Sequence, residues 1–492
     1  MNIKNSILNF FKNDWHFLLL IIFFITHGYA EYVSLVPVWE LMLLLVVLVV
    51  IALVLYVLFK WLFKSRRKAA VFMTILLGVF LFFGAFQDFL GQFRITSALA
   101  QLQVLFPVSL VVLLLVFIFL KISRARMNRL TVFLNVLLAL YVLIDIVVIA
   151  ASLIGPAAKD SGGLAACDTC ARPPVYFILL DEYSGADALK EYFNYDNSAF
   201  EGFLQSEGFR VNRHTHSNYV FTVFSMASML NMDYLADLGE QSAQNHYGYR
   251  KATEMISTNA VTRFFNAQGY RINNYSYFQL QASPPVFKTD YLPGEVSLIT
   301  HKTMYSRVIK EAVRVLANKY SIEYFLDKSE AAYISNNESM MKKALEAASQ
   351  NTAQPSFAYL HLMLPHDPIA FDSTGKQIMP FRKRASYNKE DVDSAYLQYL
   401  VYANNRMRSF ISELKQKTGG QAIIVLMSDH GYRGSKVGND VRWAFNNLNA
   451  VYLPQRNYNA WYDGMSNVNQ FRALLNTSFG QKLPMLKDSL VR

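Results

Sequence analysis

The chain has 492 residues, 53% of them hydrophobic, and a formal charge of +11. That length calls for two or three domains, and the apolar share is too high for an ordinary soluble protein. Residues 1–155 hold 12 Lys/Arg against 5 Asp/Glu, so +7 of the +11 sits between hydrophobic segments, and a nucleic-acid partner is excluded from the reading.

Five apolar stretches, at 15–33, 38–63, 69–90, 102–120 and 130–154, read as helices long enough to cross a bilayer. The first lacks a small-residue cleavage site and runs straight into the second, so it is not a removable signal peptide. The N-terminal tail and the loops 60–68 and 121–129 together carry 11 Lys/Arg, whereas the opposite loops carry only Arg94. The positive-inside rule places the basic loops in the cytoplasm. With five spans, everything after Gly155 is expected on the other side. The expected domains are a membrane domain over 1–155, a linker over 156–172 and an extracytoplasmic domain over 173–492. The expected location is the cytoplasmic membrane, multi-pass, with a periplasmic or extracellular catalytic part. His27, Asp88 and Asp145 interrupt the apolar runs in the outer half of the membrane. Ionisable groups there either serve a function, sit near an interface or pair inside the bundle.

The linker holds the two cysteines, Cys167 and Cys170. Two cysteines cannot build a disulfide framework. The Gly and Pro around them do not read as the strand and helix that flank a redox motif, and a metal clip would lack two ligands. A local disulfide or two free thiols remain.

Beyond the linker, short apolar runs alternate with helical patterns. VYFILL at Val175–Leu180, FAYLHLML at 357–364 and AIIVLM at 422–427 read as strands buried on both faces. Helical patterns cover 330–348 and 391–417. The alternation predicts an α/β domain with a mostly parallel central sheet flanked by helices. Each run leads into chemistry-bearing residues. The first is followed by Asp181-Glu182, the second by Pro365-His366-Asp367-Pro368, the third by Ser428-Asp429-His430-Gly431. In open α/β sheets the ligand site lies beyond the carboxyl ends of the strands. Two carboxylates and an imidazole there suit one divalent metal ion of the zinc or manganese type. The stretch 217–231, SNYVFTVFSMASMLN, offers Thr222 before a helix-like run. Thr222 is either a nucleophile activated by the metal and the helix N-terminus or an N-cap.

These motifs resemble the alkaline phosphatase/sulfatase superfamily over roughly 174 to 454. The run from Pro174 to Glu182 looks like the opening strand of sulfatases, and Ser428-Asp429-His430-Gly431 looks like the second metal motif. His361 and His366, in LHLMLPHDP, look like substrate-facing histidines, and Thr222 stands at the nucleophile position. Formylglycine sulfatases carry Cys or Ser followed by Pro and Arg at that position, and calcium sulfatases carry Asn where this chain has His430. Threonine with Asp-His is instead similar to lipoteichoic acid synthases and lipid A phosphoethanolamine transferases, which also place five helices before an extracytoplasmic domain. The resemblance implies that Asp181, Thr222, Asp429 and His430 ligate one metal, that Thr222 is phosphorylated in turnover, and that His366 and His361 are catalytic. Those families usually carry Glu at the first ligand. Here it is Asp181, with Glu182 beside it as a second ligand or a bystander.

The expected function is cleavage or transfer of a phosphoryl-type group on a membrane lipid or envelope glycan. The alternative is hydrolysis of soluble sulfate or phosphate esters. A third reading is a non-catalytic module bound to the bilayer.

Overall fold

In a computed structural model, the residues described are 12–32, 36–91, 96, 98–154, 164, 165, 167, 169–238, 246–280, 283, 285, 296–308, 323–350, 354–367, 369–378, 389–434 and 441–491. Val33, Arg94, Gly155, Pro368 and most of the expected linker lie outside them. The chain forms two compact units. One comprises Met1–Pro156 with Asp290–Phe325, the other Ala157–Thr289 with Leu326–Arg492.

The first unit contains α1 (His16–Glu31), α2 (Val38–Phe63), α3 (Arg66–Gly91), α4 (Leu102–Ile122) and α5 (Asn128–Ile154). Four of them, α2 to α5, are long and apolar enough to cross a membrane. The expected first span is shorter than read. α1 has 16 residues, about 24 Å at 1.5 Å per residue, against a hydrocarbon core of about 30 Å. Asn13 and Asp14 before it and Glu31 at its end cut the apolar run. α1 nevertheless lies in the middle of the bundle. Its Phe17, Leu20, Ile21, Phe24 and Ile25 join one buried cluster with Leu41, Ala52, Met73, Leu77, Leu81 and Leu138 of α2, α3 and α5. By contrast α2, α4 and α5 expose Val, Leu, Ile and Phe along their length, a surface that hydrocarbon covers and water does not.

The flagged ionisable groups pair within this unit. Asp145 Oδ1 lies 3.2 Å from His27 Nδ1, and its Oδ2 accepts from Thr26 Oγ1 at 3.3 Å. Asp88 pairs with Arg307 at 2.7 Å. Arg307 belongs to a segment, 296–308, that packs onto the helices. Leu298 and Ile299 enter the same apolar cluster as α1, and Glu40 accepts the Val296 N–H at 3.2 Å. The approach is backbone to backbone at Gly84, whose N–H reaches the Lys302 carbonyl at 2.6 Å.

The second unit is built on a six-stranded sheet of order β2-β6-β5-β1-β4-β3. Its strands are β1 (Val175–Leu180), β2 (Arg210–Val211), β3 (Arg271–Tyr275), β4 (Ser356–Leu362), β5 (Ile423–Met427) and β6 (Asn449–Tyr452). β5, β1, β4 and β3 run parallel, and β6 and β2 pair antiparallel at one edge. All six residues of β1 are buried, because helices cover both faces of a central parallel strand. Phe177 of β1 meets Phe471 of the C-terminal helix α9 (Gln470–Ser478) edge-on, with ring centroids 5.1 Å apart. Three further helices are α6 (Thr222–Asn231), α7 (Glu323–Ala348) and α8 (Lys389–Lys417). The cysteines form a disulfide, Cys167–Cys170.

A Cβ on Gly84 would stand 2.7 Å from the Lys302 carbonyl oxygen, whereas one on Gly78 of the same helix would meet nothing closer than 3.9 Å. Gly84→Val should therefore displace 296–308, an overpacking cost of about 1–3 kcal/mol. Tryptic cleavage at Lys302 and Arg307 in native protein should accelerate about tenfold or more, since cleavage tracks the open population. Gly78→Val should leave that rate unchanged, and equal rates in both variants would contradict the packing.

Candidate metal centre

The register of the sheet brings the carboxyl ends of β1, β4 and β5 together. Leu180 pairs with Leu362 and Leu179 with both His361 and Met427. Asp181 and Asp429 therefore leave adjacent parallel strands at the same edge. Asp181, Asp429 and His430 are buried and offer one ligand atom each, all within 4.8 Å of one another.

Backbone and side-chain donors fix each group. Asp181 N–H donates to the Leu362 carbonyl at 2.9 Å. Its Oδ2 accepts from His361 Nε2 at 3.0 Å, and His361 Nδ1 meets the Tyr359 hydroxyl at 2.8 Å. Asp429 Oδ1 accepts the Glu182 N–H at 3.1 Å. His430 Nδ1 donates to the Gly431 carbonyl at 2.8 Å, which assigns its lone pair to Nε2. That Nε2 stands 3.1 Å from Asp429 Oδ2, 3.9 Å from Asp181 Oδ1 and 3.2 Å from Thr222 Oγ1.

Asp181 Oδ1 and Asp429 Oδ2 are buried with no hydrogen-bond partner among the described residues. Unpaired carboxylate oxygens inside a protein are costly, and these two lie 3.9 and 3.1 Å from the His430 nitrogen that the Thr222 hydroxyl also approaches. Two carboxylates, an imidazole and a hydroxyl form a donor set suited to a divalent ion, so the residues present fit a metal. Burial opposes charge on both carboxyls. Against it, His430 holds Asp429 below the usual carboxylate range, and His366 and His361 hold Asp181 below it despite repulsion from Asp429.

Thr222 is the first residue of α6. The N-cap is Phe221, in extended conformation and with no side-chain cap bond, so Thr222 does not cap the helix. Ser225, one turn on, donates to the Asp429 carbonyl at 2.6 Å and ties α6 to the end of β5.

The two histidines of the LHLMLPHDP segment are placed differently. His361 is fully buried at the end of β4 and turned onto Asp181, away from open space. His366 follows in the loop and is partly exposed. Its Nε2 lies 3.3 Å from Arg433 Nη2 and 3.7 Å from Glu182 Oε2. Burial lowers its pKa, but the nearby carboxylates of Asp181 and Glu182 outweigh that and leave it above the ordinary imidazole value.

Glu182 stands outside the three-residue cluster. It has a left-handed backbone, φ +62°, a strained conformation for a side-chain-bearing residue and one often found at functional sites. Its Oε1 accepts from the Arg433 backbone N–H at 2.8 Å and faces the guanidinium at 3.5 Å. Sequence reading missed Arg433, a partly exposed cation facing the carboxylates of Glu182, Asp181 and Asp429. Its only signal was its place, two residues past Gly431.

Residues 177–473, more than half of the chain, match the family model described as Sulfatase. No curated protein matches the chain. Among solved structures, an integral membrane lipooligosaccharide phosphoethanolamine transferase from Neisseria meningitidis is 12% identical, with a TM-score of 0.40, over 87% of this chain and 83% of that one. A phosphonate monoester hydrolase from Silicibacter pomeroyi is 16% identical, with a TM-score of 0.40, over 65% and 76%. The periplasmic domain of a phosphoethanolamine transferase from Escherichia coli in complex with Zn is 11% identical, with a TM-score of 0.38, over 63% and 84%. By its family match, the chain belongs to the sulfatase family of the alkaline phosphatase superfamily and is a sulfatase-like enzyme.

Proposed function

We propose that this enzyme cleaves or transfers a phosphoryl-type group on an envelope lipid or glycan through a covalent intermediate on Thr222. The observation that carries this is Thr222 Oγ1 at 3.2 Å from His430 Nε2, beside two orphaned carboxylate oxygens, at a helix start that it does not cap. Asp181, Asp429 and His430, with Thr222 completing the set, would hold one divalent ion, zinc or manganese. When bound, such an ion supplies the positive charge that acidifies a neighbouring hydroxyl. The N-terminus of α6 favours the anionic group at the same point.

In this reading Thr222 loses its proton to water at its partly exposed side. Its oxygen bonds to phosphorus as the bond to the leaving oxygen breaks. His366, protonated more readily than an ordinary imidazole, gives that oxygen a proton. Arg433, held by Glu182, faces the charge that builds on the phosphoryl oxygens. His361 acts through Asp181, fixing the ligand's orientation. The exposed apolar faces of α2, α4 and α5 support a membrane anchor, which keeps the catalytic residues near lipid substrates.

The same proposal sets the layout. Residues 1–155 form the membrane domain, 156–172 the linker and 173–492 the extracytoplasmic catalytic part, with 290–325 kept by the helical unit. The basic loops are in the cytoplasmic leaflet of the inner membrane. α1, central in the bundle, counts as the fifth span. A closed Cys167–Cys170 disulfide suits the oxidising side.

Three outcomes are expected. Thr222→Ala should abolish turnover and covalent labelling by total membrane lipid, read by intact mass, while Thr222→Ser keeps a measurable part. A Thr222→Ala enzyme retaining more than about a tenth of its activity, a loss of ~1.4 kcal/mol of barrier, would remove Thr222 from the reaction. A mass adduct only from soluble esters would move the substrate to that class. The histidines should separate by metal content. His366→Ala should lower turnover by about 10²–10⁴-fold with metal retained, whereas His361→Ala should weaken metal binding about 10–100-fold. The reverse pattern would exchange their roles. Reporter fusions at Lys68 and Gly162 should give opposite signals, and equal signals would sink the five-span layout.

A further inference from the structure

The basic end of the helical unit contains a cavity that the reaction does not use. Its volume is about 480 Å³, and its walls come from three separate parts of the chain: the segment before α1, the α2–α3 connection and the α4–α5 connection. Lys12, Arg66, Arg67, Lys68 and Arg126 line it, against one carboxylate, Asp14. Asp14 is engaged by Arg66 at 3.4 Å. Arg67 donates to Asn128, and Lys68 Nζ donates to the Ser123 carbonyl at 2.5 Å, so the α2–α3 turn is stapled to the α4–α5 connection. Lys12 and Arg126 have no partner among the described residues. The N-termini of two long helices, α3 at Arg66 and α5 at Asn128, open on the same space and add the positive ends of their dipoles.

The positive-inside rule accounts for basic loops. It does not require three of them to close around one cavity with cations on its walls. We infer that this cavity binds the phosphate headgroup of an anionic phospholipid from the leaflet at that end. Basic pockets between membrane helices are the form such sites take. Within two turns of the connections that line the cavity, α2, α4 and α5 expose Trp61, Ile122 and Phe133, an apolar surface along which acyl chains can lie. A free phosphate-type anion shares the headgroup chemistry but would gain nothing from that surface. The layout proposed above supplies only the name of the leaflet.

The test uses the full chain, delipidated in a neutral detergent and titrated by native mass spectrometry. The probes are phosphatidylglycerol, phosphatidylcholine with the same acyl chains, and inorganic pyrophosphate. Phosphatidylglycerol should bind at least tenfold tighter than phosphatidylcholine. Lys12→Gln with Arg126→Gln should weaken it about tenfold or more. The equal charge change Arg124→Gln with Arg129→Gln, in exposed residues beside but not lining the cavity, should change it less than twofold. If the first double variant is not monodisperse, Lys12→Gln alone, at about threefold, is compared with Arg124→Gln. Equal losses in the cavity and control variants would overturn the site. So would equal binding of the two lipids. Pyrophosphate binding as tightly as phosphatidylglycerol would show a free-anion site and overturn the lipid assignment.

Discussion

The catalytic half of the molecule is arranged around one costly fact: two carboxylates, Asp181 and Asp429, are buried side by side. Like charges in a poorly solvated interior disfavour each other and disfavour ionisation. The fold offsets part of this with fixed donors. The Glu182 N–H serves Asp429, and His361 serves Asp181. It then stops, leaving one oxygen on each residue unpaired among the described groups. A fold that satisfies half of each carboxylate and leaves the other halves beside one imidazole nitrogen has the donors to hold a cation. The parallel sheet makes this possible. Parallel strands bring their carboxyl ends to one edge, and β1 lies between β4 and β5.

The residue after the first ligand carries an unusual share of the geometry. Through its left-handed backbone, Glu182 turns its N–H onto Asp429 while sending its side chain to Arg433 and His366. One residue thus joins the buried carboxylates to the more open polar pair. Glycine would adopt that backbone more easily but would have no carboxylate to hold the guanidinium. Strain at this point is the cost of connecting the metal-fit cluster with Arg433 and His366.

Most of this was legible in the sequence where apolar runs decide the outcome. Val175–Leu180 is β1 to the residue, and the other two predicted strands are displaced by no more than two positions. Continuous apolar runs declare central parallel strands, and their ends declare the site. What escaped depended on tertiary packing. His361 and His366 sit in one motif, yet pleat and burial turn the first inward and leave the second in the loop. Arg433 carries no pattern of its own and acquires its setting only when β1 and β5 meet. Thr222 read as a cap as readily as a nucleophile, because the sequence does not show that the extended Phe221 holds the N-cap position and leaves Thr222 inside the helix. Residues 296–308 read as part of a continuous outer domain. Their contacts with Glu40, Gly84, Asp88 and the α1 cluster show that they belong with the helices.

The helical half follows the same rule of paired charge in a different medium. Each ionisable residue that interrupts its apolar runs has found a partner. His27 meets Asp145 across α1 and α5, and Arg307 meets Asp88 of α3. These pairs explain why α1, too short to be read as a span on length alone, is still fixed in the bundle. A lone Asp145 facing hydrocarbon would be expensive, and so would a lone His27 once charged. Holding them together requires α1 and α5 to stay in register side by side. Such a pair contributes little net stability beyond what apolar packing gives, but it penalises any shift of α1 along α5, because the shift would strand a carboxylate. Apolar surface therefore holds the bundle together, and the paired ionisable groups select one arrangement of it.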